Sequence, residues 1–206
     1  LINIYNNVMA LIGQCTNLGL TISAVKDVAA HHASGNRHDL ERSVTAVRTW
    51  STMTALLGTL MALILAPVLS RLTFGNADYT LPFALLAPMV GMVTLTGGEM
   101  AILKGLKQLK RVAIVSAFGA VATVVVNAPL FYFFGQRGIV PSLLIVNLVV
   151  LFIHLHYSTR TVPWHCSLFS RSIVRYGIPF VKLGAAYVLA SAFAQGTEYA
   201  VRTIML

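Results

Sequence analysis

Polar side chains recur along one side of the first apolar segment of the chain. At about 100° per residue, a helix places them within roughly 80° of one another over about 27 Å. They are Asn3, Asn7, Gln14, Asn17 and Thr21. Because amides both donate and accept hydrogen bonds, the stripe can replace the water around a sugar. Amides also join packed transmembrane helices; the continuity of the stripe favours a water-filled, substrate-contacting cavity over packing alone.

A second polar stripe, near the end of the chain, carries charge. A helix places Ser191, Gln195, Glu198 and Arg202 within about 60° of one another, with Lys182 on the opposite side. Glu198 and Arg202 are four residues apart and can form a structural pair close to the membrane surface. Alternatively, an anionic substrate competes for Arg202 and a proton competes for Glu198. Lys182 can also extend its ammonium group to the membrane surface.

A weaker stripe of Ser116, Thr123 and Asn127 precedes Pro129. Hydroxyl groups commonly bond to their own helix, so helix packing is the favoured interpretation of this stripe. Contact between Asn127 and a substrate is the alternative.

Glu99 follows an apolar segment that is punctuated by Pro82, Pro88 and the pair Gly97-Gly98. Such residues survive at membrane depth where the freed backbone lines a cavity or meets partners. We expect Glu99 to lie near the cytoplasmic end of its helix and to pair with Lys104 or Lys107. A titrating carboxylate that couples transport to an ion is the less favoured alternative.

These residues lie in or next to six uncharged runs, which we label A to F. The runs cover residues 1–25, 49–70, 79–98, 112–136, 138–159 and 183–197. A membrane-spanning helix needs about 20 mostly apolar residues, and run F reaches that length if Lys182 snorkels. The chain is 57% hydrophobic and 10% charged, against about 25% charged residues in soluble domains. The sequence therefore predicts an all-α, polytopic transmembrane bundle of about six helices, and excludes a soluble enzyme and a β-barrel.

The connections between the runs alternate in basic content. Connections A–B, C–D and E–F carry eleven basic residues, whereas B–C and D–E carry Arg71 and Arg137 alone. Basic residues mark the cytoplasmic side, so the first three connections are predicted to lie inside. Leu1 then starts outside, which predicts an earlier helix in a longer protein. Membrane topology also accounts for the net charge of +9 without a nucleic-acid partner.

Motifs for catalysis are not found in the sequence. It has six carboxylates in total and lacks a phosphate-binding glycine loop and a nucleophile elbow. His154 and His156, at an inner membrane edge, are interpreted as interfacial anchors, and Cys15 and Cys166 form neither a disulfide framework nor a zinc-binding spacing. We therefore expect a conduit rather than an enzyme, with no metal and no cofactor.

Several stretches resemble polysaccharide flippases in their order and spacing. They are residues 17–26 with Ser34-Gly35-Asn36, residues 102–111, residues 132–135, residues 137–142 and residues 176–180. Together they make the chain similar to the O-antigen translocase (Wzx-type) branch of the multidrug/oligosaccharidyl-lipid/polysaccharide exporter superfamily. Runs A to E would correspond to helices two to six of such a protein, and run F to helix seven.

The resemblance implies a protein of two six-helix bundles around a central cavity. Such proteins flip undecaprenyl-pyrophosphate-linked oligosaccharides, the repeat units of O-antigen or capsule, across the bacterial inner membrane by alternating access. Residues 1–159 would form the N-terminal bundle without its first helix, residues 160–175 a cytoplasmic linker, and residues 176–206 the first helix of the second bundle. The implied partners are the lipid-linked substrate, membrane lipids and the polysaccharide polymerase and chain-length machinery.

Candidate residues follow from the chemistry of that substrate. Sugar contacts are assigned to Asn3, Asn7, Gln14, Asn17, Thr21, Asn127, Ser191 and Gln195. A pyrophosphate needs cations, for which Lys26, Lys182 and Arg202 are the candidates, and Glu198 ranks ahead of Glu99 for ion coupling. The alternatives are a multidrug or cation antiporter, a membrane-embedded polymerase or glycosyltransferase, and a scaffold that transports nothing.

Overall fold

The apolar runs fold into long helices. The computed structural model describes residues 5–6, 8–9, 12–13, 19–74 and 78–164. The helices with complete bounds are α1 (Leu20–Ala33), α2 (Arg37–Phe74), α3 (Thr80–Gly105), α4 (Leu109–Phe134) and α5 (Ile139–Thr159), with one 3-10 turn at Gly135–Gly138. Throughout the part of the chain that the structure describes, the regular structure is helical, which confirms the predicted all-α class.

Four helices, α2 to α5, are long and apolar enough to cross a membrane. They correspond to runs B to E, so the structure confirms helices of membrane-spanning length and apolar composition in these runs. The total of about six spans also depends on runs A and F. Run F lies outside the described residues, and run A lies only partly within them.

Run A is not one continuous helix. Tyr5, Met9 and Ile12 are helical, but Gly19 has a φ of 67°, in the left-handed region, and α1 begins only after it. A residue in the left-handed region interrupts a right-handed helix, so side chains before and after it do not follow one helical periodicity. The periodicity that placed Thr21 on the stripe with Asn17 therefore does not hold across Gly19. Because Asn17 lies outside the described residues, the place of Thr21 on the stripe stays a prediction.

Helix α2 starts at a local cap and extends well beyond a bilayer. The side chain of Asn36 accepts a hydrogen bond from the His38 backbone N–H at 3.1 Å and donates one to Asp39 at 2.7 Å. With 38 residues, α2 is about 57 Å long, against about 30 Å for the hydrocarbon core.

Helix α3 lies at the centre of the described bundle and packs on α1, α2 and α5, most extensively on α2. Its glycines allow these close approaches. A Cβ at Gly98 would lie 2.9 Å from the Cβ of Ser51, and one at Gly105 would lie 2.7 Å from Val28. Because α3 is unbroken, the helix breakers of run C do not open it, and Gly97 and Gly98 lie against neighbouring helices.

The bundle has two buried apolar clusters. One contains Tyr5, Phe83 and Ile139, and the other contains Val28 and Ile102. Val162, beyond α5, packs against the second cluster, so the connections between α1 and α2, between α3 and α4, and after α5 share one end. These are the three basic connections. We call this the inner end and the opposite one the outer end.

Candidate functional site

A buried ion pair joins α2 to α3 near the inner end. Arg48 Nε donates to Glu99 Oε1 at 3.0 Å, and Arg48 Nη2 donates to Oε2 at 3.3 Å. The two side chains are only 1% and 3% exposed. The contact follows from the approach of Gly98 to Ser51, since Arg48 lies about one turn before Ser51 on α2.

The predicted partners of Glu99 are therefore wrong. Lys104 and Lys107 are both exposed at the inner end, whereas the carboxylate is held by Arg48. Sequence reasoning counted Arg48 among the loop cations. A signal was nevertheless present: Arg48 immediately precedes run B and Glu99 immediately follows run C, so opposite charges border two apolar runs on the same predicted side of the membrane.

The remaining donors of Arg48 reach the chain beyond α5. Nη1 donates to the carbonyl oxygens of Val162 at 3.2 Å and Pro163 at 2.7 Å, and Nη2 donates to Ser158 Oγ at 3.2 Å. The guanidinium carbon lies 4.8 Å from the centre of the Trp164 ring. A buried charge pair is tolerated when its donors and acceptors are satisfied, and that condition is met here.

His154 belongs to the same region. Its residue is 4% exposed, its Nδ1 lies 2.8 Å from the Val150 carbonyl oxygen, and it interacts electrostatically with Glu99. The interpretation of His154 as an interfacial anchor is wrong, because α5 turns it into the bundle. His156, two residues later, is exposed.

A second polar network ties α4 to the same segment. Arg111 donates to Thr161 Oγ1 and to the Tyr157 carbonyl oxygen at 3.5 Å. Thr161 Oγ1 in turn donates to Gln108 Oε1 at 3.3 Å. The chain that leaves α5 is thus held by one arginine from α2 and one from α4.

Thr21 and Lys26 lie on α1, apart from the ion pair. Thr21 is half-buried, and a Cβ at Gly97 would lie 3.4 Å from its Oγ1, so this hydroxyl faces α3. Lys26 is exposed on the helix surface. Neighbouring glycines of α3 therefore contact different helices, Gly97 facing α1 and Gly98 facing α2.

Asn127 is the exception among the polar residues of α4. Thr123 Oγ1 donates to the Gly119 carbonyl oxygen at 2.8 Å, as predicted for a hydroxyl on its own helix. The Oδ1 atom of Asn127, in contrast, is buried and accepts no hydrogen bond from any described residue. Asn127 lies in the outer half of α4 and Glu99 near the inner end of α3, so the two belong to different sites.

The other predicted site residues lie outside the described part of the chain. They are Asn3, Asn7, Gln14, Asn17, Lys182, Ser191, Gln195, Glu198 and Arg202. Within residues 19–74 and 78–164 and the short described stretches before them, no three His, Cys, Asp or Glu side chains are arranged to hold a metal ion.

Compared with known proteins, the chain matches no family model, no curated protein and no solved structure. The likeness to oligosaccharide exporters thus stays a prediction from sequence motifs. The best-organised polar site among the described residues is the Arg48–Glu99 pair with its contacts to the segment after α5.

Proposed function

We propose that this chain is part of a transporter that flips lipid-linked oligosaccharides across the bacterial inner membrane. The observation that carries the proposal is the amide-rich stripe of run A, which precedes four helices long and apolar enough to span a membrane. A sugar headgroup can cross hydrocarbon only if hydrogen bonds to water are replaced. Amide side chains supply both donors and acceptors for that exchange.

The packing of run A supports this assignment. Tyr5, Met9 and Ile12 are buried, and the Tyr5 ring meets the Phe83 ring of α3 edge-on at 5.1 Å. By helical periodicity, the sequence places Asn3 and Asn7 on roughly the opposite side from these residues. The apolar side of the pattern thus meets α3, and the proposed cavity adjoins the amide side.

The remaining roles follow from the charges. The pyrophosphate is assigned to Lys26, which is exposed, together with Lys182 and Arg202. Because Glu99 is engaged by Arg48, we assign ion coupling to Glu198. The polyprenyl tail stays in lipid, no cofactor takes part, and no bond is made or broken by the protein.

The test replaces Asn7, Gln14 and Asn17 together by Leu in the full-length gene, expressed in its own bacterium after deletion of the chromosomal copy. Asn147→Leu serves as the matched control, because the Asn147 amide donates to the Leu143 carbonyl of its own helix at 2.8 Å. We expect normal amounts of the triple variant in the membrane, lost surface polysaccharide, and accumulated lipid-linked oligosaccharide that periplasmic glycosidases cannot reach. The control should restore export.

Restored export by the triple variant would overturn the cavity assignment. If the deletion strain forms no lipid-linked intermediate, the protein acts in synthesis as a transferase. An unchanged pool together with new drug sensitivity would instead identify an antiporter.

A further inference from the structure

We propose that Arg48 is a positioning residue that latches the chain leaving α5 onto the inner end of the bundle. The latch consists of Arg48, Glu99, Ser158 and Trp164 with the backbone of residues 162–163. Its importance for transport rests on the proposed function, in which the following linker joins this bundle to a second one. The contacts themselves are independent of that function.

The geometry of the guanidinium makes a two-sided contact possible. Its N–H groups are fixed in one plane and point in different directions. One edge binds the Glu99 carboxylate at 3.0 Å, while Nη1 reaches the Pro163 carbonyl oxygen at 2.7 Å. A lysine has a single nitrogen and would not hold the carboxylate and both carbonyl groups at once.

The charge balance makes the latch releasable. Among the described residues, Glu99 alone neutralises Arg48. The other acceptors are uncharged: Ser158 Oγ in the last turn of α5, and the carbonyl oxygens of Val162 and Pro163 in the segment after it. When that segment leaves, the ion pair stays intact and the freed N–H groups can meet water at the inner end. Release therefore leaves no isolated charge among the described helices.

The ring of Trp164 completes the latch by covering one face of the Arg48 guanidinium group. The ring lies over the guanidinium at 4.8 Å, and Trp164 is itself 41% exposed. It shields the hydrogen bonds of Arg48 from water on one face while remaining open to solvent on the other. Such an aromatic cover adds a cation–π attraction and can move away without disturbing the helix core.

A second anchor fixes the direction of the segment. Thr161 is bound to Arg111 of α4, so residues 158–164 are held by side chains from two helices, α2 and α4. With both anchors in place, residues 160–164 are held in one direction relative to α2 and α4. A movement of α2 relative to α4 would change that direction, which is how a linker transmits movement between bundles.

The experiment separates the latch from the ion pair. In the full-length protein with its native cysteines replaced, Val162→Cys reports whether the segment is seated, since Val162 packs against the inner cluster. Inside-out vesicles are treated with a membrane-impermeant maleimide. The test variants are Arg48→Lys and the charge swap Arg48→Glu with Glu99→Arg, both of which retain an ion pair. The matched control is Arg42→Lys, an exposed arginine earlier on α2.

We expect labelling of the cysteine to rise about tenfold or more in both test variants, because several hydrogen bonds to a charged group are lost together. Membrane insertion and the detergent-extracted helix content should match the control, and oligosaccharide export should fall about tenfold. Ser158→Ala, which removes one bond, should raise labelling by a smaller factor.

Unchanged labelling in both test variants would overturn the latch. Raised labelling with undiminished export would overturn its positioning role. If deletion of the gene leaves the lipid-linked oligosaccharide pool unchanged while the test variants still raise labelling, the latch is supported and the proposed substrate is wrong. The two proposals therefore fail separately.

Discussion

Helices α3 and α4 are matched in length and differ in how much of their surface is covered. Each has 26 residues and an interior proline, Pro88 in α3 and Pro129 in α4. In their most apolar 18-residue windows, 44% of residues are buried in α3 and 6% in α4. Apolar composition thus makes both candidate membrane spans, but it does not distinguish the central helix from the peripheral one.

The difference lies in the glycines. Helix α3 has Gly91, Gly98 and Gly105 at seven-residue intervals, and each meets a neighbouring helix closely. Helix α4 has one glycine, Gly119, which has no such close neighbour, and its large side chains such as Phe118 and Val124 are exposed. Lipid tails are as apolar as Leu, so helices associate in membranes where small residues allow contact between backbones. Hydropathy therefore gives the same prediction for both helices, and the closely packed glycines distinguish the central one.

The largest effect is expected at Glu99 of α3. Glu99→Leu leaves Arg48 buried without its carboxylate, which should lower the free energy of unfolding by about 3–5 kcal/mol. The measurement is reversible unfolding in mixed detergent micelles. Replacing both residues by Leu should recover most of this loss, since the isolated charge is removed as well. A double variant as unstable as the single one would contradict this account.

Glycines give the next comparison. Gly98→Ala should destabilise the bundle by about 1–3 kcal/mol, because the added Cβ overlaps Ser51. Ser51→Gly in the same protein should restore stability. On α4, a Cβ added at Gly119 would lie 3.8 Å from its nearest neighbour, Val150, so Gly119→Ala should be neutral or stabilising by up to about 1 kcal/mol. Equal effects at Gly98 and Gly119 would refute the packing difference.

A substitution of Asn127 tests the role of this polar residue of α4. Because its Oδ1 accepts no hydrogen bond within the described part of the chain, Asn127→Leu should leave stability unchanged or raise it by about 1 kcal/mol. If Asn127 contacts the sugar, the same variant should export less oligosaccharide at normal protein levels. Thr123→Val is the control, since that hydroxyl bonds within its own helix. Reduced stability with normal export would identify Asn127 as a packing residue.

The smallest effects are expected where the two helices end. Helix α3 is followed by Lys107 at a φ of 56°, and α4 is followed by Gly135 at a φ of 52°. Both are left-handed, a conformation that suits glycine and strains lysine. Lys107→Gly should therefore stabilise by about 0.5–1 kcal/mol, and Gly135→Ala should destabilise by a similar amount. Thermal unfolding of the two variants in parallel measures both, and a loss of stability in Lys107→Gly would contradict the strain.

The sequence predicts the spans well and their contacts poorly, for a physical reason. Uncharged length is a property of one segment, so runs B to E are found from composition alone. A pairing such as Arg48 with Glu99 depends on how two helices approach, and the two residues are 51 positions apart. Gly98 was interpreted as a helix breaker because glycine weakens isolated helices, whereas in α3 it allows the approach to α2.

The candidate site was predictable only where a residue acts within its own helix. The hydroxyl of Thr123 bonds as expected, and the partner of Glu99 was missed because proximity along the chain favoured Lys104. The break at Gly19 was also missed, since a left-handed φ cannot be distinguished by pattern from an ordinary glycine in an apolar run.

The sequence separation of the latch residues also sets the order in which their contacts can form during synthesis. A ribosome adds about 5–20 residues per second, and Glu99 follows Arg48 by 51 residues while Pro163 follows it by 115. At that rate, Glu99 is synthesised about 3 to 10 seconds after Arg48. The contacts of Arg48 with Val162 and Pro163 can form only after α5 has been synthesised.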